Sequence, residues 1–439
     1  MRKKVRVLVT NLSYLAHNYG AQGIAIPFMD GLKKYYDADF TFIMSSKKLD
    51  EPAQQEFLAR HKLGAVAKPS SIVVAAECNF LFSILFRMVC MLKKKRLKQR
   101  KSEYVEFLNV ARRHDVFIDL AGIQFYMEKF GWRRRYSEYL SVISIEWLAQ
   151  KCGKPYLKFT KSYGPLGGKI YKFMVKRSLK KLPLLLVRGE DNLREMCLLK
   201  LGIPLYSFPD ISLVLKPESR EWALGYLKRL GVDTESKIVG LSPSAVIAGI
   251  EGKNGSCCGD GHLRLCKIIL SLYIEKDQQV LILPHSIGDG INEKTCDLAV
   301  ARRLYNGLID KQKIFLLEDM TLSYKQARSI IGLMDFYVTG RYHSVASALF
   351  MGVPVISLSW HTKYRDILTL FLDEPPIVEC EKTTIEDAIS LIKKHYSHRD
   401  WFDRAKVAER KARVCKEIDK SIQLIADQID TLFIRGTKR

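Results

Sequence analysis

No run of about 18 consecutive apolar residues occurs in the 439-residue chain, so a membrane-spanning helix is not expected. Cysteine pairs at redox or metal-binding spacing are also missing. The ten cysteines are scattered, none forms a C-x-x-C pair, and Cys257 and Cys258 are merely adjacent. Reduced thiols and no metal centre are expected. A secretory leader is not expected either. The basic start Met1-Arg2-Lys3-Lys4 leads into Val5–Val9, too short for the apolar part of a signal peptide, and that stretch reads as a first strand. The expected location is the cytoplasm. Fixed-period repeats and low-complexity tracts are not found. Acidic residues are in short supply, 47 against 71 Lys and Arg, which leaves a formal charge of +24. A basic surface favours phosphate-bearing partners. The excess sits in the first half: Arg87–Lys101 holds eight basic residues and Lys151–Lys181 ten, neither with an acid. Such runs also arise as plain solvated faces. Helix-turn-helix, RNA-recognition and zinc-finger patterns are lacking, so nucleic acid is not an expected partner.

What is present is ample material for a core. Hydrophobic residues make up 47% of a chain too long for one ordinary domain, so two large domains or three small ones are expected. Val5–Thr10 reads as a strand, Asn18–Gly23 as a polar glycine loop, Ile24–Tyr36 as a helix and Phe40–Met44 as a second strand. Val116–Leu120 and Leu184–Arg188 are further buried strands. A helix over Glu190–Leu201 is expected, with Gly202 as its C-cap. Residues 216–236 read as a linker containing a helix, Pro217–Leu230. A second series follows, with strands at Ile238–Ser242, Val280–Pro284, Ile314–Leu317, Phe336–Thr339 and Val355–Leu358. Helices are expected between them, near 262–275, 294–308, 323–333 and 343–352. Gly249–Gly261 reads as a long loop after the first strand of this series. Short apolar strands alternating with helices imply parallel sheets covered on both faces. The expected class is therefore α/β: two Rossmann-like, doubly wound domains facing each other across a cleft. The expected boundaries are 1–215 for a basic N-terminal domain, 216–236 for the linker, 237–400 for the C-terminal domain and 401–439 for a terminal helix.

The segment richest in chemistry is Thr339-Gly340-Arg341-Tyr342-His343-Ser344. It ends a strand and opens a helix, where free N–H groups and the helix dipole favour an anion. Arg341 supplies a planar fork for carboxylate or phosphate, and His343 exchanges a proton near neutral pH. Gly352-Val353-Pro354 turns the chain into the next strand, which delivers His361 and Lys363 to the same edge. Arg341 as a carboxylate partner and His343 as a core histidine remain open alternatives. Open α/β sheets nevertheless place their ligands at such edges.

Five stretches in order resemble the polysaccharide pyruvyl transferase family, over about residues 5 to 370. Arg341-Tyr342-His343 followed by Gly352-Val353-Pro354-Val355-Ile356 resembles its R-x-H and G-x-P-V-I signature. Asn18-Tyr19-Gly20-Ala21 resembles its N-terminal asparagine–glycine loop. Phe117–Gly122 stands where the family has a glycine-rich strand end, although this chain has Leu-Ala-Gly-Ile. Arg188, Glu190, Leu201-Gly202 and Asp210 resemble a fourth stretch, and Lys363 a lysine beyond the next strand. The resemblance implies a glycosyltransferase-B-like fold of two Rossmann-type domains. It also implies transfer of a pyruvyl group from phosphoenolpyruvate to a saccharide, forming a ketal, with the donor in the cleft on the side of the C-terminal domain, the acceptor on the side of the N-terminal domain, and no cofactor or metal.

On that likeness Arg188, Arg341, Lys363 and Ser344 would bind the doubly anionic donor. His343 would move a proton, and Asp210 would serve as a second acid/base or hydroxyl-positioning group. Asn18, Gly20 and Gln22 would line the cleft from the N-terminal domain, with His285 at its edge. Asparagine and glycine equally mark any tight turn, and His285 equally reads as a plain strand-ending residue. Gln22 stands where the family commonly has an acid. The acceptor is expected to be a lipid-linked saccharide, in cell-surface polysaccharide synthesis such as capsule or exopolysaccharide. The apolar stretch Phe80–Leu92 with the basic run after it reads as a buried helix or as an interfacial one, giving peripheral contact with an anionic membrane through 80–101. Two other readings compete: a nucleotide-sugar glycosyltransferase on the same architecture, and a non-catalytic basic module binding membrane or nucleic acid. The first is disfavoured because Ser347–Met351 lacks the acid such enzymes often use to hold a ribose.

Overall fold

A computed structural model describes residues 2–12, 14–79, 94–125, 132–251, 255–287 and 296–436. The chain divides into two compact units. The first comprises 1–15, 24–210 and 417–439, and the second 16–23 and 211–416. The division falls inside two helices, Tyr19–Leu32 and Arg404–Gly436.

In the first unit the strands are β1 (Lys4–Thr10), β2 (Asp37–Met44), β3 (Gly64–Ala67), β4 (Val116–Asp119), β5 (Ile123–Gln124), β6 (Tyr156–Lys158), β7 (Ser162–Tyr163), β8 (Leu185–Arg188) and β9 (Leu205–Phe208). The main sheet runs β3-β2-β1-β4-β6, and each of these pairs is parallel. β5 pairs with β7 and β8 with β9. β1 begins half-exposed, with Val5 inside and Lys4 and Arg6 outside. From Val7 onward it is buried on both faces, as a central parallel strand must be.

In the second unit the strands are β10 (Ile238–Ser242), β11 (Gln279–Ile282), β12 (Ile314–Leu316), β13 (Phe336–Thr339), β14 (Val355–Ser359) and β15 (Ile377–Glu379). They run β12-β11-β10-β13-β14-β15, all parallel. This is the doubly wound dinucleotide-type order, whose strand sequence reverses between β10 and β13. Val239, Leu241, Val280, Ile282, Val338 and Ile356 form the middle of its core. Two Rossmann-like α/β units are thus present.

Several local expectations differ from the structure. Asn18–Gly23 is the start of a helix rather than a loop: the Asn18 Oδ1 accepts from the Ala21 N–H at 3.1 Å, as an N-cap does. The helix opening at Glu190 stops at Cys197, and Lys200 takes up a left-handed turn (φ 49°) ahead of Gly202. The expected linker 216–236 belongs to the second unit; Ser219 caps its helix Arg220–Arg229 by accepting from the Trp222 N–H. The terminal helix is one continuous element, Arg404–Gly436, shared between the units. The apolar stretch Phe80–Leu92 lies outside the described residues, as does most of the loop before Cys296. No helix among the described residues is long and apolar enough to cross a membrane.

Candidate active site

The reversal point of the second sheet opens between the ends of β10 and β13. Gly340 allows the two connections to approach: a Cβ there would lie 2.7 Å from the Ser244 Cβ. The Tyr364 hydroxyl donates to the Gly340 carbonyl at 2.8 Å and fixes the turn. Helix Tyr342–Met351 starts at Arg341, which makes no side-chain cap, and closes on left-handed Gly352 (φ 71°) before Pro354 leads into β14. An uncapped helix start keeps its first N–H groups directed outward.

Arg341 is ion-paired with Asp297, a fully buried carboxylate that sequence reasoning missed. Asp297 also accepts from the Ala245 and Ser286 N–H groups, each at 2.8 Å, so one carboxylate ties three connections together. The Arg341 Nε–H, buried, has no hydrogen-bond partner among the described residues. His285 lies beside it in the same surroundings. Burial, then the charges of His343, Arg341 and Arg328, hold the His285 ring neutral, well below its usual pKa. Its Nε2 is buried without a partner among the described residues. The rings of His285 and His343 are nearly parallel, with centroids 6.4 Å apart.

The start of helix Tyr19–Leu32 completes the cluster from within the same unit. Asn18 forms a β-bridge with Ser286. Gly20 passes so close to His343 that a Cβ would sit 2.6 Å from its Nδ1, and Gly23 would meet the Tyr324 ring at 2.5 Å. Gln22 accepts from the Tyr324 N–H at 2.8 Å and donates to the Ala16 carbonyl at 2.9 Å. Tyr324 donates its hydroxyl to the His343 carbonyl at 2.8 Å and receives hydrogen bonds from Arg328 and Ser347. Arg328 is fully buried and donates to the carbonyls of Ser212, Leu213 and Leu215. Asn18, Gly20 and Gln22, expected to act from the N-terminal domain, therefore pack in the second unit against His343 and Tyr324.

Ser344 is buried beside Tyr337, whose hydroxyl burial pushes up to about 12 against the opposing effect of the Ser344, Ser242 and Thr339 hydroxyls. Lys363 places its ammonium 4.5 Å from the Trp360 ring centre and 5.5 Å from that of Tyr342. Such faces attract a cation without neutralising it.

The remaining predicted residues, Arg188 and Asp210, belong to the first unit and are ion-paired with each other, both buried. Arg188 also donates to the Ser162 hydroxyl and the Gly122 carbonyl. A proton taken up by Asp210 would leave Arg188 without its counter-charge, which argues for a positioning pair rather than a proton shuttle. Nearby in sequence, the acid-free run 151–181 is not wholly a solvated face. Lys158 and Lys161 are fully buried and both pair with Asp119 at the end of β4. The two lysines hold Asp119 well below the usual carboxylate range despite its burial.

A family model described as polysaccharide pyruvyl transferase matches residues 89–362. No curated protein matches the sequence. Among solved structures, TcCGT1 in complex with UDP is similar at a TM-score of 0.56 and 10% identity, covering 98% of this chain and 100% of that one. Alr3699/HepE from Anabaena, in complex with UDP and glucose, gives 0.55 at 10% identity, covering 97% and 99%. UDP-GlcNAc 2-epimerase from Neisseria meningitidis, bound to UDP-GlcNAc, gives 0.53 at 10% identity, covering 98% and 100%. At such identities the likeness is one of fold, and the fold is of the glycosyltransferase-B type.

Proposed function

The chain belongs to the polysaccharide pyruvyl transferase family, and we propose that it transfers a pyruvyl group from phosphoenolpyruvate to a saccharide, with the donor bound at the strand-reversal edge of the second unit. The observation that carries this reading is the cluster of hydrogen-bond donors there. Arg341 keeps a buried Nε–H without an acceptor among the described residues, beside an uncapped helix start and the His285–His343 pair. Phosphoenolpyruvate brings a phosphate and a carboxylate, and several fixed donors with low reorganisation suit it.

In the reaction the methylene carbon gains a proton and becomes a methyl group. The bond from C2 to the phosphate oxygen breaks, and two saccharide hydroxyls bond to C2. Their two hydrogens balance the methyl proton and the phosphate released. His343 supplies or relays the proton to the methylene carbon. Arg341 and Lys363 hold the carboxylate and the departing phosphate, and Ser344 lies at the helix start behind them. His285, kept neutral, offers a hydrogen bond without adding a charge. Asn18, Gly20 and Gln22 set the wall against which His343 is placed. No cofactor is needed, because the donor carries its own leaving group. The acceptor is a cell-surface saccharide, lipid-linked in this reading, and residues 80–101 bring the protein to an anionic leaflet. Sedimentation with anionic vesicles at low salt tests that contact; failure to co-sediment removes it.

Phosphate release from phosphoenolpyruvate in the presence of a saccharide pool tests the reaction. His343→Ala is expected to lower turnover by about 100-fold or more, the usual contribution of a positioned proton donor. Turnover near the wild-type rate would remove His343 from the chemistry. The helix Tyr342–Met351 bears no acid for a nucleotide ribose, so thermal stabilisation by a UDP-sugar but not by phosphoenolpyruvate would favour the glycosyltransferase reading instead.

A further inference from the structure

Helix Lys169–Leu179 of the first unit turns Tyr171, Val175 and Leu179 into the core, where they pack with Phe125, Val142 and Val187. The opposite face of such a helix is ordinarily polar throughout. Here it carries Ile170 and Phe173, which are 71% and 64% exposed. Three positions apart, they are neighbours on one helix surface and form a small apolar patch open to solvent.

Cations frame this pair. Lys169, Lys172, Arg177, Lys180 and Lys181 are exposed, and Lys176 is half-buried. By helical spacing Phe173 lies between Lys169, one turn before it, and Lys176 and Arg177, one turn after it. None of the six forms an ion pair among the described residues. No acid occurs between Lys151 and Lys181. Helix Trp132–Lys151 packs beneath, with the Tyr139 hydroxyl donating to the Met174 carbonyl at 3.2 Å, and its two acids are turned away from the patch. Glu146 is buried against Lys158 and the Ser178 hydroxyl, and Glu138 lines a cavity with Lys68 and Ser141.

Two apolar side chains are too little for a protein partner, whose interface buries roughly 800 Å² on each side. They suit a bilayer surface, where apolar tips enter the boundary between headgroups and acyl chains while long basic side chains reach the phosphates. A face with cations and no acids is the complement of an anionic leaflet.

We propose that helix Lys169–Leu179 docks on an anionic lipid surface, with Ile170 and Phe173 inserted and Lys169, Lys172, Lys176 and Arg177 on the headgroup phosphates. The assignment shares the anionic leaflet with the proposed function and rests neither on residues 80–101 nor on the identity of the donor.

Co-sedimentation of the full chain with vesicles of phosphatidylglycerol and phosphatidylcholine tests it, with phosphatidylcholine alone as control. The wild type is expected to bind the mixed vesicles at low salt, and to bind the control about tenfold or more weakly. Ile170→Gln combined with Phe173→Gln keeps good helix formers at both positions and is expected to weaken binding to the mixed vesicles about tenfold. Its thermal midpoint and its turnover of phosphoenolpyruvate should stay at the wild-type level. Lys172→Gln combined with Arg177→Gln should weaken binding by a similar factor and make it less sensitive to salt. In Phe173→Trp, which keeps an interfacial aromatic, binding should be retained and tryptophan emission should shift further to the blue on vesicles than in the wild type. Undiminished binding by the apolar double variant overturns the assignment and leaves the membrane contact to residues 80–101. Binding that depends on the cations alone overturns it as well, because a solvated basic face would do the same. Absence of vesicle binding by the wild type, with or without a dimer that the apolar double variant loses, also overturns it.

Discussion

Gly20 and Gly23 show how single residues position the candidate catalytic histidine. Neither has the positive φ that makes glycine necessary in a turn; both are needed because His343 and Tyr324 lie against the helix backbone. Gly20→Ala is therefore expected to displace the imidazole, at an overpacking cost of about 1–3 kcal/mol. Phosphate release should fall well below wild type while the chain still unfolds cooperatively; unchanged turnover would show that the ring's position is not critical. Arg328 is the second such residue. Arg328→Met strips hydrogen bonds from three buried carbonyls and from Tyr324. The midpoint of urea unfolding should drop by an amount equivalent to about 3 kcal/mol or more. A histidine gives the pH dependence. His262 accepts the Ser244 N–H on its Nε2 at 2.9 Å, and burial lowers its pKa to about 4. The folded chain therefore resists a proton that the unfolded chain takes up near pH 6.5. Stability from this group is full above that value and declines as pH falls toward 4, by about 3 kcal/mol in all. His262→Gln, whose amide oxygen can still accept the Ser244 N–H, should flatten the pH dependence of unfolding in that window.

At the scale of elements, the strands were readable because parallel central strands are uninterrupted apolar runs: Ile238–Ser242 and Phe336–Thr339 are as expected to the residue. The short helix Tyr342–Met351 was legible from its Gly352-Val-Pro354 exit. Asn18–Gly23 was misread because its asparagine and glycines speak for a turn, whereas the feature that makes them helical is contact with residues some 300 positions away. Gln22 illustrates the contact, since it binds the N–H that opens helix Tyr324–Ile331. Gln22→Leu is expected to cost about 1–3 kcal/mol by orphaning that buried group, read as a lower thermal midpoint. Asp297 was invisible for a related reason: an aspartate opening a helix is ordinary, and only the fold reveals that it also holds Arg341. Arg328 left a trace, because it occupies the buried stripe Tyr324, Ala327, Arg328 and Ile331, where an arginine is out of place.

For the whole molecule, family and fold class were legible from ordered motifs and alternating elements, and the division of residues between units was not. Which unit a segment joins is decided by long-range packing: residues 16–23 and the segment 211–236 both belong to the second unit. The strong positive charge of +24 is also not all surface, since Lys158, Lys161 and Arg328 are fully buried and bonded inside. The account's central claim is that the strand-reversal edge of the second unit is a phosphoenolpyruvate site. Equilibrium dialysis with radiolabelled phosphoenolpyruvate tests it most directly, using wild type, His343→Ala and Lys363→Met. Saturable binding by the wild type, weakened about tenfold or more in both variants and not displaced by UDP, is the predicted result. No binding, equal binding by all three proteins, or displacement by UDP would contradict it.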